Sequence, residues 1–323
     1  MTTLNTTQQI KGLFRRWFNE VWNQGKYEVA NEIVAEDMIV HGASGQPLGH
    51  GREGIVSLVR LWRTAFPDGQ MTIGDLLAER DMGVARVIWQ GTHTAPFYNI
   101  PPTGRRVTVV GLGFDRVRDG QFVESWGDTD LLGLLQQVGA VQAFINREVY
   151  RWPPISQEQI VASTLSTPPS TVPSSASPGE NRELARRFFE TLNGWNIDAL
   201  REVVDTANYI EHNPFLGPLT FDQAIQIYSL THQAVPDLHI TLDSAVQITE
   251  GDRIASRGTL RGTHTAVELF GARPDGRVVE WTGNDILRIA QGKIVERWVC
   301  ADIFRLMRTL GVSALQQVGL PVT

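Results

Sequence analysis

The chain repeats itself. Slid along by 171 residues, Leu13, Arg15, Arg16 and Phe18 fall on Leu184, Arg186, Arg187 and Phe189, and Gly91-Thr92-His93-Thr94-Ala95 falls on Gly262-Thr263-His264-Thr265-Ala266. His41 meets His212 at the same spacing, whereas Trp126 to Trp298 and Asp130 to Asp302 are 172 apart, so one residue has entered between these anchors. A period this long marks two copies of a whole domain, of roughly 130 residues each, and not a solenoid of small units.

The repeat divides the chain into a first domain over 8–150, a connector over 151–180 and a second domain over 181–315. Pro153 to Glu180 is dense in Ser, Thr and Pro and has no sustained apolar period, which predicts an extended connector. Val141 to Trp152 has the pattern of a short helix closing the first copy. At 323 residues, with 42% hydrophobic and 20% charged side chains, each copy can bury a core. A net charge of -6 and a pI near 5.7 offer no concentrated basic surface for a polyanion, so no nucleic-acid partner is expected. The single cysteine, Cys300, excludes a disulfide framework and a Cys-rich metal site and fits a reducing, cytoplasmic compartment. Met1 to Lys11 is polar, and no run of about 18 apolar residues occurs, so neither a secretion signal nor a membrane partner is expected.

Within a copy the signals run helix, helix, short strand, helix, four long strands and a closing helix. Leu13, Trp17, Phe18, Val21 and Trp22 recur at helical spacing, Val29, Ala30, Ile33 and Val34 follow Gly25, and Gly51 to Phe66 makes a third helix stopped by Pro67, Asp68 and Gly69. Met71 to Leu77, Val84 to His93, Arg106 to Arg116 and Gln121 to Asp130 are rich in Val, Ile and Trp, with turns at Arg80-Asp81 and Asp119-Gly120. Helices first and antiparallel strands after describe an α+β domain whose sheet curls around the helices and leaves a pocket.

Glu124, Trp126, Asp128 and Asp130 lie two apart in the last strand, so their side chains share one face; the second copy offers Glu296, Trp298, Cys300 and Asp302. Asp130 and Asp302 each precede an apolar helix. One reading desolvates them, raises their pKa above about 3.9 and makes them acid/base groups; the other makes them helix N-caps. His93 and His264 end a strand and are the second pair of candidate catalytic residues. His41, His212, Trp126, Trp298, Asp128 and Trp89 are candidate substrate contacts. His50, His232 and His239 have no counterpart in the other copy and are set aside. Two histidines and an aspartate can bind a divalent ion, but their spacing matches no compact ligand motif, so no metal is expected. Gly111-Leu112-Gly113 is a fragment inside a strand and not a phosphate cradle.

The stretch Gly120-Gln121-Phe122-Val123-Glu124-Ser125-Trp126, continued by Asp130-Leu131-Leu132-Gly133-Leu134-Leu135-Gln136-Gln137-Val138-Gly139, resembles the closing strand and helix of SnoaL-like polyketide cyclases, of the nuclear transport factor 2-like superfamily. Gly292 to Trp298 and Asp302 to Met307 resemble it more loosely. The resemblance implies a cone-shaped α+β fold in each copy, with helices on a curved, mostly antiparallel sheet. It also implies Asp130 and Asp302 as acid/base, histidines in the pocket, and a cofactor-free intramolecular aldol closure of a carbonyl-bearing small molecule. His93 and His264 would then stabilise the enolate oxygen. Family members usually associate as single domains, so the tandem form implies an intramolecular pseudo-dimer with further self-association open. Because the fold hosts several chemistries, an epoxide hydrolase or hydratase, an isomerase, and a non-catalytic binding protein stay as alternatives.

Overall fold

The computed structural model describes residues 6–41, 51–141 and 177–312. They fall into two compact units that coincide with the two copies. The connector as far as residue 176, the helix foreseen beyond Val141, and His50 lie outside the described residues.

In the first unit α1 (Thr7–Arg16) starts at Thr6, whose hydroxyl accepts from the Gln9 amide while the Gln9 side chain accepts from the Thr6 amide. This reciprocal cap satisfies two donors that the helix leaves open. The helix then widens into a π-helical stretch, Trp17–Asn23. Its i→i+5 winding brings Trp17 and Trp22 to one side, which α-helical winding would splay apart. A 3-10 turn, Tyr27–Val29, and the single turn of α2 (Ala30–Ile33) lead to β1 (Val34–His41). Val34, expected to extend the helix, instead opens the strand by pairing with Phe122. There follow α3 (Gly51–Ala65), β2 (Gln70–Glu79), β3 (Met82–Thr92), β4 (Arg106–Arg118), β5 (Gln121–Thr129) and α4 (Leu131–Val138). The sheet order is β1-β5-β4-β3-β2, antiparallel except for the β1–β5 pair. Asp119 and Gly120, both at positive φ, make the two-residue turn between β4 and β5.

The second unit repeats the plan. Helix α5 (Pro178–Asn193) begins three residues inside the stretch read as connector, with Ser177 and Glu180 forming the reciprocal cap and Pro178 in the first turn. After it come α6 (Ile197–Val203), β6 (Ile210–Asn213), β7 (Gly217–Thr220), α7 (Phe221–Ala234), β8 (His239–Leu242), β9 (Ile248–Glu250), β10 (Arg253–Thr263), β11 (Val278–Ala290), β12 (Lys293–Ala301) and α8 (Ile303–Thr309). Its sheet runs β7-β6-β12-β11-β10-β8, with β9 also on β10. Both units are α+β, with helices on a curved, mostly antiparallel sheet.

Where the third helix of each copy returns to the sheet, the same tie recurs. The Thr92 amide and hydroxyl donate to Asp68 at 2.6 and 2.7 Å, and those of Thr263 donate to Asp237 at the same distances. The turn presses on the strand so closely that a Cβ on Gly69 would lie 1.9 Å from Trp89 Cζ2. Gly69→Ala should therefore displace the Trp89 indole and destabilise the first unit by about 1–3 kcal/mol, the range for overpacking. Hydrogen exchange resolved by peptide should show faster opening in residues 51–138 and unchanged protection in residues 183–310.

Candidate active site

Each unit holds a cavity between its helices and the concave face of its sheet. In the first it measures about 170 Å³ and is walled by Trp17, Phe18, Trp22, Trp62 and Trp89, with aliphatic side chains between. The floor is the pleat face carrying Val109, Gly111, Gly113 and Asp115 on β4 and Ser125, Gly127 and Thr129 on β5. The glycines keep this floor low: a Cβ on Gly113 would meet nothing nearer than the Trp126 carbonyl at 3.6 Å. Asp115 pairs with Ser125 across the two strands, and its side chain is hydrogen-bonded to that serine. The apolar wall withholds water from Asp115 and pushes its carboxyl up to about 7, with the Ser125 hydrogen bond acting the other way. Trp89 is buried in the same wall, and its indole N–H has no hydrogen-bond partner among the described residues.

The second cavity, about 200 Å³, carries a different polar group. Arg297 stands at the place of Ser125 and donates through Nε and Nη2 to Asp285 Oδ2, at 3.2 and 3.0 Å, and through Nη1 to Glu211 Oε2 at 3.3 Å. The same Nη1 lies 2.5 Å from the Tyr228 hydroxyl, which donates in turn to Glu211, as does Tyr209 at 3.1 Å. Burial pushes Asp285 up to about 6 in spite of Arg297, and it pushes both tyrosines well above their ordinary range. In the first copy Leu112 and Gly113 stand where the second has Asn284 and Asp285, so the two cavities carry their carboxyls at different positions of a shared frame.

The residues singled out by sequence lie mostly elsewhere. Asp130 and Asp302 are N-caps: Asp130 Oδ1 accepts from the Gly133 amide at 2.9 Å, and Asp302 Oδ1 accepts from the Arg305 amide at 2.8 Å. Neither lines its cavity, although burial raises Asp130 to about 6 against the Gly133 hydrogen bond. His93 and His264 are fully buried in the hairpin ends and do not line the cavities either. His93 Nδ1 is 3.1 Å from Thr103 Oγ1 and its ring packs on Phe66, while His264 Nε2 donates to the Val267 carbonyl at 2.8 Å. Burial lowers the His93 pKa, which favours a neutral wall residue. Trp89 does line its cavity. Asp128 borders it too, yet strand alternation turns its side chain with cross-strand Leu112 away from the face that carries Ser125 and Thr129.

On that other face the pairs shared by the two copies form a duplicated brace. The His41 ring stacks on Trp126 at 5.0 Å and meets Glu124 at 2.9 Å, and Arg116 reaches the same carboxylate at 2.6 Å. His212 stacks on Trp298 at 5.0 Å, and Glu296 lies 2.7 Å from both His212 and Arg288. Burial would raise Glu296, but hydrogen bonds from His212 and Arg288 outweigh it and hold this carboxyl below its ordinary range. These four candidate contacts thus tie the first strand of each copy to the last.

Among the described residues no group of three or more His, Cys, Asp and Glu is arranged to hold a metal ion, and no helix is long and apolar enough to cross a membrane. The model of the SnoaL-like polyketide cyclase family matches residues 12–138 and again 183–310. The chain belongs to this family, in two copies. Among solved structures, TsrD from Streptomyces laurentii is 27% identical over 42% of this chain and 99% of its own, with a TM-score of 0.39. A putative polyketide cyclase, IdmH from Streptomyces antibioticus, is 26% identical over 41% of this chain and 99% of its own, with a TM-score of 0.37. AclR from Streptomyces galilaeus, described as a putative hydroxylase, is 25% identical over 42% and 83%, with a TM-score of 0.39. No curated protein matches the chain.

The brace and the caps make separable predictions for this SnoaL-like pair. A depressed carboxyl pKa stabilises the fold above the unfolded value and loses that stabilisation as pH falls through the folded one. Glu296→Gln should therefore cost about 2 kcal/mol at pH 7, a usual loss for a buried charged hydrogen bond, and should cost less at a strongly acid pH, where the native carboxyl takes up its proton. Urea unfolding at the two pH values reads it. Asp302→Ala should lose about 1 kcal/mol while Asp302→Asn, which still caps, keeps most of it.

Proposed function

We propose that the first copy is a cofactor-free acid/base enzyme acting on an apolar molecule that carries at least two carbonyl groups, with Asp115 as the proton-transfer group. The single observation behind this reading is a carboxyl at the floor of an aromatic cavity whose pKa is raised to about 7, so that it both takes and returns a proton near neutrality. In the proposed step ionised Asp115 removes a proton α to one carbonyl. The enolate carbon then attacks a second carbonyl carbon of the same molecule, a carbon–carbon bond forms, and the resulting alkoxide takes a proton back. The net reaction is an intramolecular aldol cyclisation, in keeping with membership of the cyclase family. Asp130, the carboxyl matched to the family's acid/base position, caps α4 and does not line the cavity, whereas Asp115 does.

The non-catalytic binding reading fits the second copy better. Asp285 Oδ2 already receives two N–H groups from Arg297, and Glu211 Oε2 receives Arg297 and two tyrosines, so both carboxylates are held in one ion-pair cluster. A cytoplasmic setting suits a chain whose only cysteine is free and buried.

Asp115→Asn, assayed against a panel of cyclisable polyketides, should lower kcat/KM by roughly 10²–10⁴, the usual contribution of a positioned proton-transfer group. The native profile should rise with pH through about 7, the value to which Asp115 is pushed, and the variant should be flat. A raised acid pKa favours the fold below the unfolded value and penalises it as pH climbs through the folded one. The Asn variant should accordingly melt higher than the native chain at pH 8 and at the same temperature at pH 4. Undiminished turnover in Asp115→Asn would overturn the assignment.

A further inference from the structure

Two rings in the second cavity have no structural reason in the shared frame. Asn23 clamps β2 in the first copy, its side chain bonding the Met71 amide and carbonyl at 2.7 and 2.9 Å; Asn193 clamps Ile240 at the same distances. Two residues beyond each clamp the chain turns at positive φ. The first copy places Gly25 there, at φ 69°, and the second places Trp195, at φ 49°. Glycine adopts this region freely, whereas a bulky residue pays a steric cost to stay in it.

The residue facing the turn has changed as well. Ala65 and Ala234 both accept from the loop after the histidine, through Thr94 and Thr265, which aligns the two helix ends. Two residues before them stand Arg63 and His232. Arg63 lies over Gly25 and donates to the Trp22 and Asn23 carbonyls at 2.6 and 2.9 Å, tying off the helix end. His232 gives up that tie and stacks on Trp195, at 4.8 Å and 19° between ring planes. Gly25 and Arg63 do not line the first cavity; Trp195 and His232 both line the second. A strained backbone persists where its side chain is used.

We infer that Trp195 and His232 are specificity-determining residues of the second cavity, selecting a flat, ring-bearing small molecule through a stacked pair that has no counterpart in the first copy. Phe215, Phe270 and Trp281 complete an aromatic surround, and ring edges and faces hold planar ligands in offset or edge-to-face contact. The cluster of Tyr228, Arg297 and Asp285 gives one side of the cavity a polar character, so the ligand carries a hydroxyl or carbonyl at the edge of its ring system. This inference concerns recognition and stands or falls apart from the role proposed for Asp115.

Calorimetric titration of the full chain with 1-naphthol and with its saturated counterpart, decahydro-1-naphthol, tests it. The native chain should bind the flat alcohol at least tenfold more tightly than the puckered one. Trp195→Gly should weaken 1-naphthol binding at one site by tenfold or more while the melting temperature holds or rises, because glycine relieves the positive φ. A purely structural tryptophan would show the opposite pattern, a lower melting temperature and unchanged affinity. His232→Ala, within α7 and only part-buried, should weaken binding by threefold or more and keeps the test standing if Trp195→Gly folds poorly. Equal affinity for the two alcohols, no binding of 1-naphthol, or unchanged affinity in both variants would overturn the inference.

Discussion

Neighbouring side chains on a strand face opposite ways, and on the central strands of both units both faces are largely buried. That pair of facts governs the molecule. On β5 it sends Ser125, Gly127 and Thr129 to the cavity, and sends Glu124, Trp126 and Asp128 to the outer face. On β12 it sends Arg297, Val299 and Ala301 inward, and places Glu296, Trp298 and Cys300 behind them. The outer set braces the first and last strands together through His41 or His212, and the inner set is free to vary with chemistry.

The two copies show what such freedom allows. Shared residues hold the frame: the asparagine clamp, the Asp–Thr tie, the histidine stacked on tryptophan, and the aspartate caps. Differing residues line the cavities. Ser125 stands against Arg297, Gly113 against Asp285, and Gly25 with Arg63 against Trp195 with His232. A buried arginine requires carboxylates around it, and Glu211 and Asp285 answer that need in the second copy. The first copy has no such cation at this place, so Asp115 remains desolvated and poised near neutral pH.

Residues that recur in both copies hold the architecture of each unit. Asp130 and Asp302 each satisfy an amide at the start of the closing helix, and His93 and His264 are each buried just beyond a strand end with one polar contact. The signal for the cavity floor was present in a different form. Gly111 and Gly113, two apart with Asp115 next in phase, keep one face of a strand clear of side chains. A fragment that resembled a failed phosphate loop is the floor of a pocket.

Duplication, order of elements and turn positions followed from sequence alone, because offsets, helical and strand periods and turn residues such as Asp119-Gly120 are local properties of the chain. The caps were legible only as one of two readings, since an Asp before an apolar helix suits an N-cap and a desolvated acid/base group alike. Which strand face is concave did not follow. Period-two alternation separates the residues of β5 into two sets but carries no sign, and with both sets buried hydrophobicity could not supply one. Only the packing of the helices against one side of each sheet decided that Asp115 and Arg297 face the cavities while Asp130 and Asp302 do not.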